Sequence, residues 1–136
     1  MLHISRSMVQ EITKSAEDQH PIEACGLITK KNDSSAAARL IPMKNVAKSE
    51  TYFQFDSKEQ LRIWRELEDS NEYLWVLYHS HTSSEAYPSR TDISFSLEPH
   101  VHYVIVSTAE TEVEKIRSFR IHDGRVIEEN IRVYES

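Results

Sequence analysis

The residues with the clearest chemical use fall between positions 78 and 92, in the run Tyr78-His79-Ser80-His81-Thr82-Ser83-Ser84-Glu85-Ala86-Tyr87-Pro88-Ser89-Arg90-Thr91-Asp92. The apolar stretch leading into it, Tyr73-Leu74-Trp75-Val76-Leu77-Tyr78, predicts a buried strand. Alternate residues of a strand share a face, so His79 and His81 project side by side. Two imidazoles so placed can hold one metal ion at roughly 2.0–2.1 Å each. The chain then turns polar and reaches Pro88, after which Ser89 or Thr91 can start a short helix. Asp92 lies in the first turn of that helix, where its carboxylate can return to the same ion. Two histidines and one carboxylate leave the fourth position of a tetrahedral zinc open, as a catalytic site requires and a structural site does not.

Metal-assisted hydrolysis of an amide also needs a proton acceptor outside the ligand set. Glu23 is the first candidate, because it opens the otherwise apolar run Ala24-Cys25-Gly26-Leu27-Ile28, where a charge without a purpose is costly. Glu85 competes with it. It is nearer the histidines in sequence but sits in the polar loop, where it reads equally as a substrate contact or a solvated residue. Ser89 precedes Asp92 by one helical turn and can donate to the oxyanion that develops on the attacked carbonyl. Arg90, flanked by both, can contact a substrate backbone or an acidic partner surface. Asn45 follows an apolar strand and is a further substrate-binding candidate that a simple turn also explains. His100-Val101-His102 repeats the histidine spacing but no carboxylate partner follows it, so it reads as a partly exposed strand start. His3, His20 and His122 read as surface residues. Cys25 should face the same side as Glu23, yet nothing beside it would lower its pKa, and a small buried filler is the better reading.

Positioning these groups takes a sheet with helices on it. Met8, Ile12 and Ala16, widened by Val9, predict a helix from about Ser5 to Asp18, ended by Pro21. Glu23 to Thr29 reads as a strand, residues 30–35 as a polar turn and Ala37 to Pro42 as the returning strand. Thr51 to Phe55 reads as another short strand. Asp56 or Ser57 caps a second helix reaching about Asp69, with Leu61, Trp64 and Leu67 on its buried face. His102 to Ser107 and Ile116 to Ile121 are strands, and Asp123-Gly124 is a two-residue hairpin signal whose returning strand is Val126 to Val133. At 136 residues and 39% hydrophobic, this is one α/β domain over residues 1–136, a mixed sheet flanked by two to three helices. A net charge of −6 gives no nucleic-acid surface. The first residues lack the apolar core of a signal peptide and no run is long enough to span a bilayer, so a cytoplasmic location without membrane contact is expected. One cysteine excludes an intrachain disulfide and a CxxC zinc module.

Glu23, His79-Ser80-His81 and Ser89-Arg90-Thr91-Asp92 together resemble the JAMM (MPN-plus) metalloprotease motif. That motif has an upstream Glu, an His-x-His, and a Ser-x-x-Asp placed eight and eleven residues after the second His, and the spacing here agrees throughout. Residues 20–26, 41–45 and 85–92 extend the likeness toward the small bacterial Mec-type branch. The resemblance implies a compact, cytidine-deaminase-like α/β fold and one zinc ion per chain, held by His79, His81 and Asp92. It implies Glu23 as general acid and base, with Ser89 stabilising the tetrahedral intermediate.

Mec-type enzymes hydrolyse the amide between the C-terminal glycine of a ubiquitin-like sulfur carrier (CysO-, ThiS- or MoaD-like, with a Gly-Gly tail) and cysteine, completing a route to cysteine. Deconjugation of ubiquitin-like conjugates and a non-catalytic MPN binding role are the alternatives, and the intact ligand set argues against the second. Many relatives have Pro where this chain has Thr82, a difference that bears on substrate type more than on activity. The chain also looks too short for the insertions that hold a second ubiquitin, so polyubiquitin is not the expected substrate. A base deaminase would need H-x-E and P-C-x-x-C, and a thermolysin-like protease HExxH; the chain has none of these.

Overall fold

The computed structural model describes residues 1–96 and 98–135. Ser5 ends strand β1 (Leu2–Ser5) and caps helix α1 (Arg6–Gln19): its Oγ accepts the Met8 N–H, one of the donors a helix start leaves unpaired. Ile12 and Ala16, one turn apart, are the buried residues of α1. Strands β2 (Cys25–Lys31) and β3 (Ala37–Met43) follow as a hairpin, and Asp56 caps α2 (Ser57–Asp69) by accepting from Lys58 N–H. Next come β4 (Glu72–His81), the short helix α3 (Arg90–Ser94) and β5 (His102–Ser107). The chain closes with β6 (Ile116–His122), β7 (Arg125–Glu129) and β8 (Ile131–Tyr134).

Six strands form one sheet in the order β3-β2-β4-β5-β6-β7; only β4 and β5 run parallel within it. Strands β1 and β8 pair separately, also parallel. Both faces of the large sheet are covered. Ile12 and Ala16 of α1 with Leu2 and Ile4 of β1 pack on Ile28, Val76, Tyr78 and Val104. On the opposite face, Ile63 and Leu67 of α2 pack with Cys25, Leu27, Leu77 and Ile105. The parallel pair in the middle is accordingly apolar on both sides, as such strands must be. Among the described residues no helix is long and apolar enough to cross a membrane.

One irregularity aims the histidines. Ile28 pairs with Val76 but Thr29 pairs with Leu74, so Trp75 is an extra residue in β4. Trp75 and Val76 therefore both join the α1 face, and alternation resumes one step out of phase. After the bulge, Leu77 faces α2 and Tyr78 faces α1, which puts His79 and His81 on the α2 face. Gly26 is required opposite: a Cβ there would lie 2.2 Å from the Tyr78 hydroxyl.

Several sequence expectations are corrected. Residues 51–55 form no strand; only an isolated bridge joins Phe55 to Asn45. Leu61 is 52% exposed, and the inner stripe of α2 runs through Ile63, Trp64 and Leu67. Leu61 reads as apolar in sequence, but at 100° of rotation per residue it lies about 160° from Ile63 and about 120° from Leu67, so turning those two inward leaves it outside. Strand β2 runs on through Lys30 and Lys31 into the expected polar turn, and it begins at Cys25 rather than Glu23. The stretch 126–133 is not one strand: β7 pairs with β6 through Glu129, and β8 leaves to join β1. The Asp123-Gly124 turn does form, with φ of 49° and 76°, the left-handed pair that such a hairpin demands.

His102 also has the carboxylate partner its sequence surroundings did not reveal. Glu129, on β7, accepts from His102 Nδ1 at 2.6 Å and from Ser118 Oγ at 2.7 Å. Burial by itself would raise the Glu129 carboxyl, but these bonds and the charge of His102 hold it down at about 2. An unfolded Glu titrates near 4.3, so the folded value is depressed and the contribution to stability is complete above about pH 4.5. It is lost as pH falls toward 2. In urea titrations over that range the unmutated protein should lose on the order of 2 kcal/mol more than Glu129→Gln; parallel curves for the two would exclude this pair as a source of acid lability.

Candidate metal centre

His81 is the last residue of β4, and the chain beyond it is fixed at once. Thr108 N–H donates to the His81 carbonyl at 2.9 Å, and Ser107 Oγ donates to the Ser84 carbonyl at 2.7 Å. The loop then enters α3 through a reciprocal capping box: Asp92 N–H donates to Ser89 Oγ at 3.1 Å, and Ser89 N–H donates to Asp92 Oδ2 at 2.9 Å. Ser89, and not Thr91, is therefore the helix start. The same Asp92 Oδ2 lies 3.1 Å from His79 Nε2 and 3.1 Å from His81 Nε2, while the two nitrogens are 3.2 Å apart.

That triangle suits a cation. Three ligand atoms each about 2.0 Å from one ion at tetrahedral angles stand about 3.3 Å from one another. The proton inventory points the same way. His81 Nδ1 donates to the Glu85 carbonyl at 2.8 Å, so the neutral ring presents a lone pair at Nε2. With both rings neutral, at most one proton, on His79 Nε2, can lie among the three converging atoms, and a positive ion relieves the repulsion that remains. Among the described residues this trio is the one group of His, Cys, Asp or Glu side chains arranged to hold a metal ion.

The electrostatics separate the roles. Burial lowers the His79 pKa, against the pull of Asp92. Burial also acts to lower His81, but hydrogen bonds to Asp92 and the Glu85 carbonyl, with the charges of Asp92 and Glu23, raise it overall. Asp92 is held well below the usual carboxylate range: the histidine contacts and the Ser89 N–H outweigh its burial. Asp92 is thus an anion at any pH where the protein works.

Glu23 is the opposite case. It is buried, and its Oε1 has no hydrogen-bond partner among the described residues. Burial pushes its carboxyl up to about 8, with His81 acting downward and Asp92 upward. A carboxyl that titrates near neutrality beside three metal-type ligands is suited to taking and giving one proton. The backbone that carries it is secured to β4 and to the loop before α2. Ala24 N–H donates to Ser80 Oγ at 2.8 Å, Ser80 N–H donates to the Ala24 carbonyl at 3.0 Å, and Glu23 N–H donates to the Ser49 carbonyl at 2.9 Å.

The other sequence candidates fare differently. Glu85 supplies its backbone carbonyl to His81, while its side chain is exposed in the loop. Arg90 is exposed at the first position of α3. Asn45 is not available to a substrate, because its amide is spent inside the protein. Nδ2 donates to the carbonyls of Glu23 and Tyr52, and Oδ1 accepts from the N–H groups of Ala47 and Gln54. It positions the Glu23 segment instead. Cys25 is buried and burial pushes its thiol up to about 12, with Glu23 and Glu59 adding to the rise, so it is no nucleophile. His20 is exposed, with Nδ1 2.7 Å from Thr108 Oγ1.

Sequence reasoning passed over Ser80, which lies between the two histidines and ties Ala24 to β4. It also missed the role of Thr82, buried and donating to the Glu50 carbonyl at 3.0 Å. The x of His-x-His was the available signal for the first: a hydroxyl turned to the buried face needs a partner.

Residues 5–122 match the family model described as prokaryotic homologs of the JAB domain. The chain belongs to this JAMM/MPN family. It is 45% identical over 135 residues to the CysO-cysteine peptidase of Mycobacterium tuberculosis, a match covering 99% of this chain and 92% of that one. The desampylase of Haloferax volcanii is 28% identical over 102 residues, covering 74% of this chain and 73% of that one. A protein of Desulfitobacterium hafniense solved in solution superposes with a TM-score of 0.79 at 28% identity, covering 100% of this chain and 94% of that one. The two-faced sheet with its three helices is thus the JAMM architecture, and the chain is a peptidase of the JAMM type.

Proposed function

We propose that this JAMM domain, residues 1–136 acting as one unit in the cytoplasm, hydrolyses the amide after the C-terminal glycine of a ubiquitin-like sulfur-carrier protein. It releases cysteine or a short extension, as a step in sulfur transfer to cysteine. One zinc ion at His79, His81 and Asp92 would make water nucleophilic near neutral pH and polarise the scissile carbonyl. Glu23 accepts the proton of the attacking water and returns it to the leaving nitrogen as the C–N bond breaks, so the water oxygen ends on the glycine carboxyl. Ser89 Oγ already accepts the Asp92 N–H, which leaves its own O–H to donate to the carbonyl oxygen as charge develops there. Arg90, exposed beside Ser89, contacts the carrier tail.

What supports this reading is the buried, unpartnered Glu23 carboxyl beside the converging His79, His81 and Asp92 atoms, in a chain 45% identical to a CysO-cysteine peptidase. The desampylase relative favours a second reading, cleavage of an isopeptide-linked ubiquitin-like conjugate. Mass spectrometry separates the two. The zinc-loaded protein is incubated with a carrier ending Gly-Gly-Cys and, separately, with the same carrier joined through its terminal glycine to a lysine side chain. Loss of one cysteine from the first, abolished by a chelator, is the expected result. Cleavage of the second alone would establish deconjugation in its place, and cleavage of neither with zinc bound would overturn both cysteine release and deconjugation.

A further inference from the structure

The two histidines are held in place by different means. His81 donates from Nδ1 to the Glu85 carbonyl at 2.8 Å, the usual device for fixing the plane of a metal-ligating ring. His79 Nδ1 is buried and has no hydrogen-bond partner among the described residues. Two rings lie against His79: Phe53, with centroids 4.6 Å apart and planes inclined by 32°, and His81, farther at 5.0 Å and more steeply inclined at 59°, so Phe53 offers the flatter surface.

Phe53 is itself firmly set. Phe55 packs on it at 5.5 Å between centroids. Asn45 grips the backbone on both sides of Phe53, donating to the Tyr52 carbonyl and accepting from Gln54 N–H, each at 3.1 Å. The same buried amide donates to the Glu23 carbonyl at 3.0 Å. Further along the loop, Glu23 N–H donates to the Ser49 carbonyl and Thr82 Oγ1 to the Glu50 carbonyl. A loop with no regular structure of its own is therefore pinned at several points, and its aromatic tip rests on a ligand.

We infer that Phe53 is a positioning residue for metal binding: its ring, in place of a hydrogen bond, sets the plane of His79 and hence the direction of the Nε2 lone pair. The χ2 torsion of a histidine is broad, so a ring with nothing bonded at Nδ1 turns easily unless a flat surface stops it. A turned ring no longer points its lone pair at the ion, and the metal is held less tightly. The inference rests on His79 being a zinc ligand.

The test compares the unmutated protein with Phe53→Leu, Phe55→Leu and His79→Ala. Zinc affinity is read by competition with a chromophoric chelator, and ligand geometry by the d–d absorption of the cobalt-substituted proteins. Phe55→Leu removes a half-buried ring from the same aromatic pair without touching His79, so it reports the cost of loosening the loop alone. Phe53→Leu should weaken zinc binding on the order of 10- to 100-fold and alter the cobalt spectrum. Phe55→Leu, which keeps the Phe53 ring and the Asn45 bonds that hold its backbone, should weaken zinc binding by no more than about threefold, even if its Tm falls as far. Parent-like zinc affinity in Phe53→Leu, or an equal loss in Phe55→Leu, would overturn the positioning role. A parent that binds no zinc, or binds it unchanged as His79→Ala, would sink the ligand assignment and this inference with it.

Discussion

Glu23→Gln should lower kcat on a carrier ending in cysteine by on the order of 10²–10⁴-fold, the range that loss of a general acid–base group produces. Gln matches Glu in shape, and the backbone bonds from Glu23 N–H to Ser49 and from Asn45 to the Glu23 carbonyl do not involve the side chain. The substitution removes the ability to take up a proton and little else. Zinc content should therefore be unchanged, because Glu23 is outside the trio of converging ligand atoms.

Stability should hold or rise slightly. The carboxyl is buried with an unpartnered oxygen, and an amide there has no charge to desolvate. Single-turnover mass spectrometry, metal analysis and thermal unfolding check the three parts separately. Activity within about tenfold of the parent would remove Glu23 from the chemistry. The exposed Glu85 carboxylate would then be the next acceptor to test.

Asp92→Asn is the second large effect, and it falls on metal rather than on proton transfer. One oxygen, Oδ2, faces both Nε2 atoms and accepts the Ser89 N–H that begins α3. Asn can still accept the Ser89 N–H and so preserve the cap, but it is a neutral and far poorer ligand than the carboxylate that this site holds ionised. Zinc affinity should fall by at least about a hundredfold, beyond what loss of an outer-shell partner costs. Peptidase activity should drop to background and recover in part with excess zinc. The variant should still unfold cooperatively, since the helix start is retained, but at a lower Tm than the parent, because the histidine contacts that hold Asp92 ionised are lost. Zinc binding as tight as the parent's would mean that His79 and His81 hold the ion with some other third group.

The two predictions differ in a useful way. Glu23→Gln yields a loaded, folded and inactive protein, whereas Asp92→Asn yields a folded and empty one. A loss of activity without that split, with both variants equally metal-poor, would place Glu23 among the ligands.

Much of this site was legible before any coordinates. His-x-His on an apolar strand, Ser-x-x-Asp at a helix start and a lone Glu in an apolar stretch are local patterns, and each is dictated by residues within one turn or one strand of itself. The strand period places two histidines on one face, and the capping preference of Ser places Asp92 in the first turn. The Asp-Gly turn and the start of α1 after Ser5 were legible for the same reason. Misreadings came where a pattern was ambiguous within its own window. Leu61 is as apolar as Ile63, and only the packing of α2 on the sheet shows which of them faces inward.

What the sequence alone determined is the set of reactive side chains available, two histidines, the carboxylates and a serine, and most of the elements near them. Tertiary structure decided which of these groups meet, and on what terms. The bulge at Trp75 sets the face on which the histidines emerge, and it is visible only in the pairing of β2 with β4. The raised pKa of Glu23 comes from burial, and the contacts made by Asn45, Phe53, Ser80 and Thr82 join residues more than twenty positions apart in the chain. Pairing of β1 with β8, and of His102 with Glu129, likewise joins parts of the chain with no local signature. The physical reason is common to all of them. A side chain's reactivity depends on its solvent exposure and its neighbours, and in a folded chain both are supplied chiefly by residues distant in sequence.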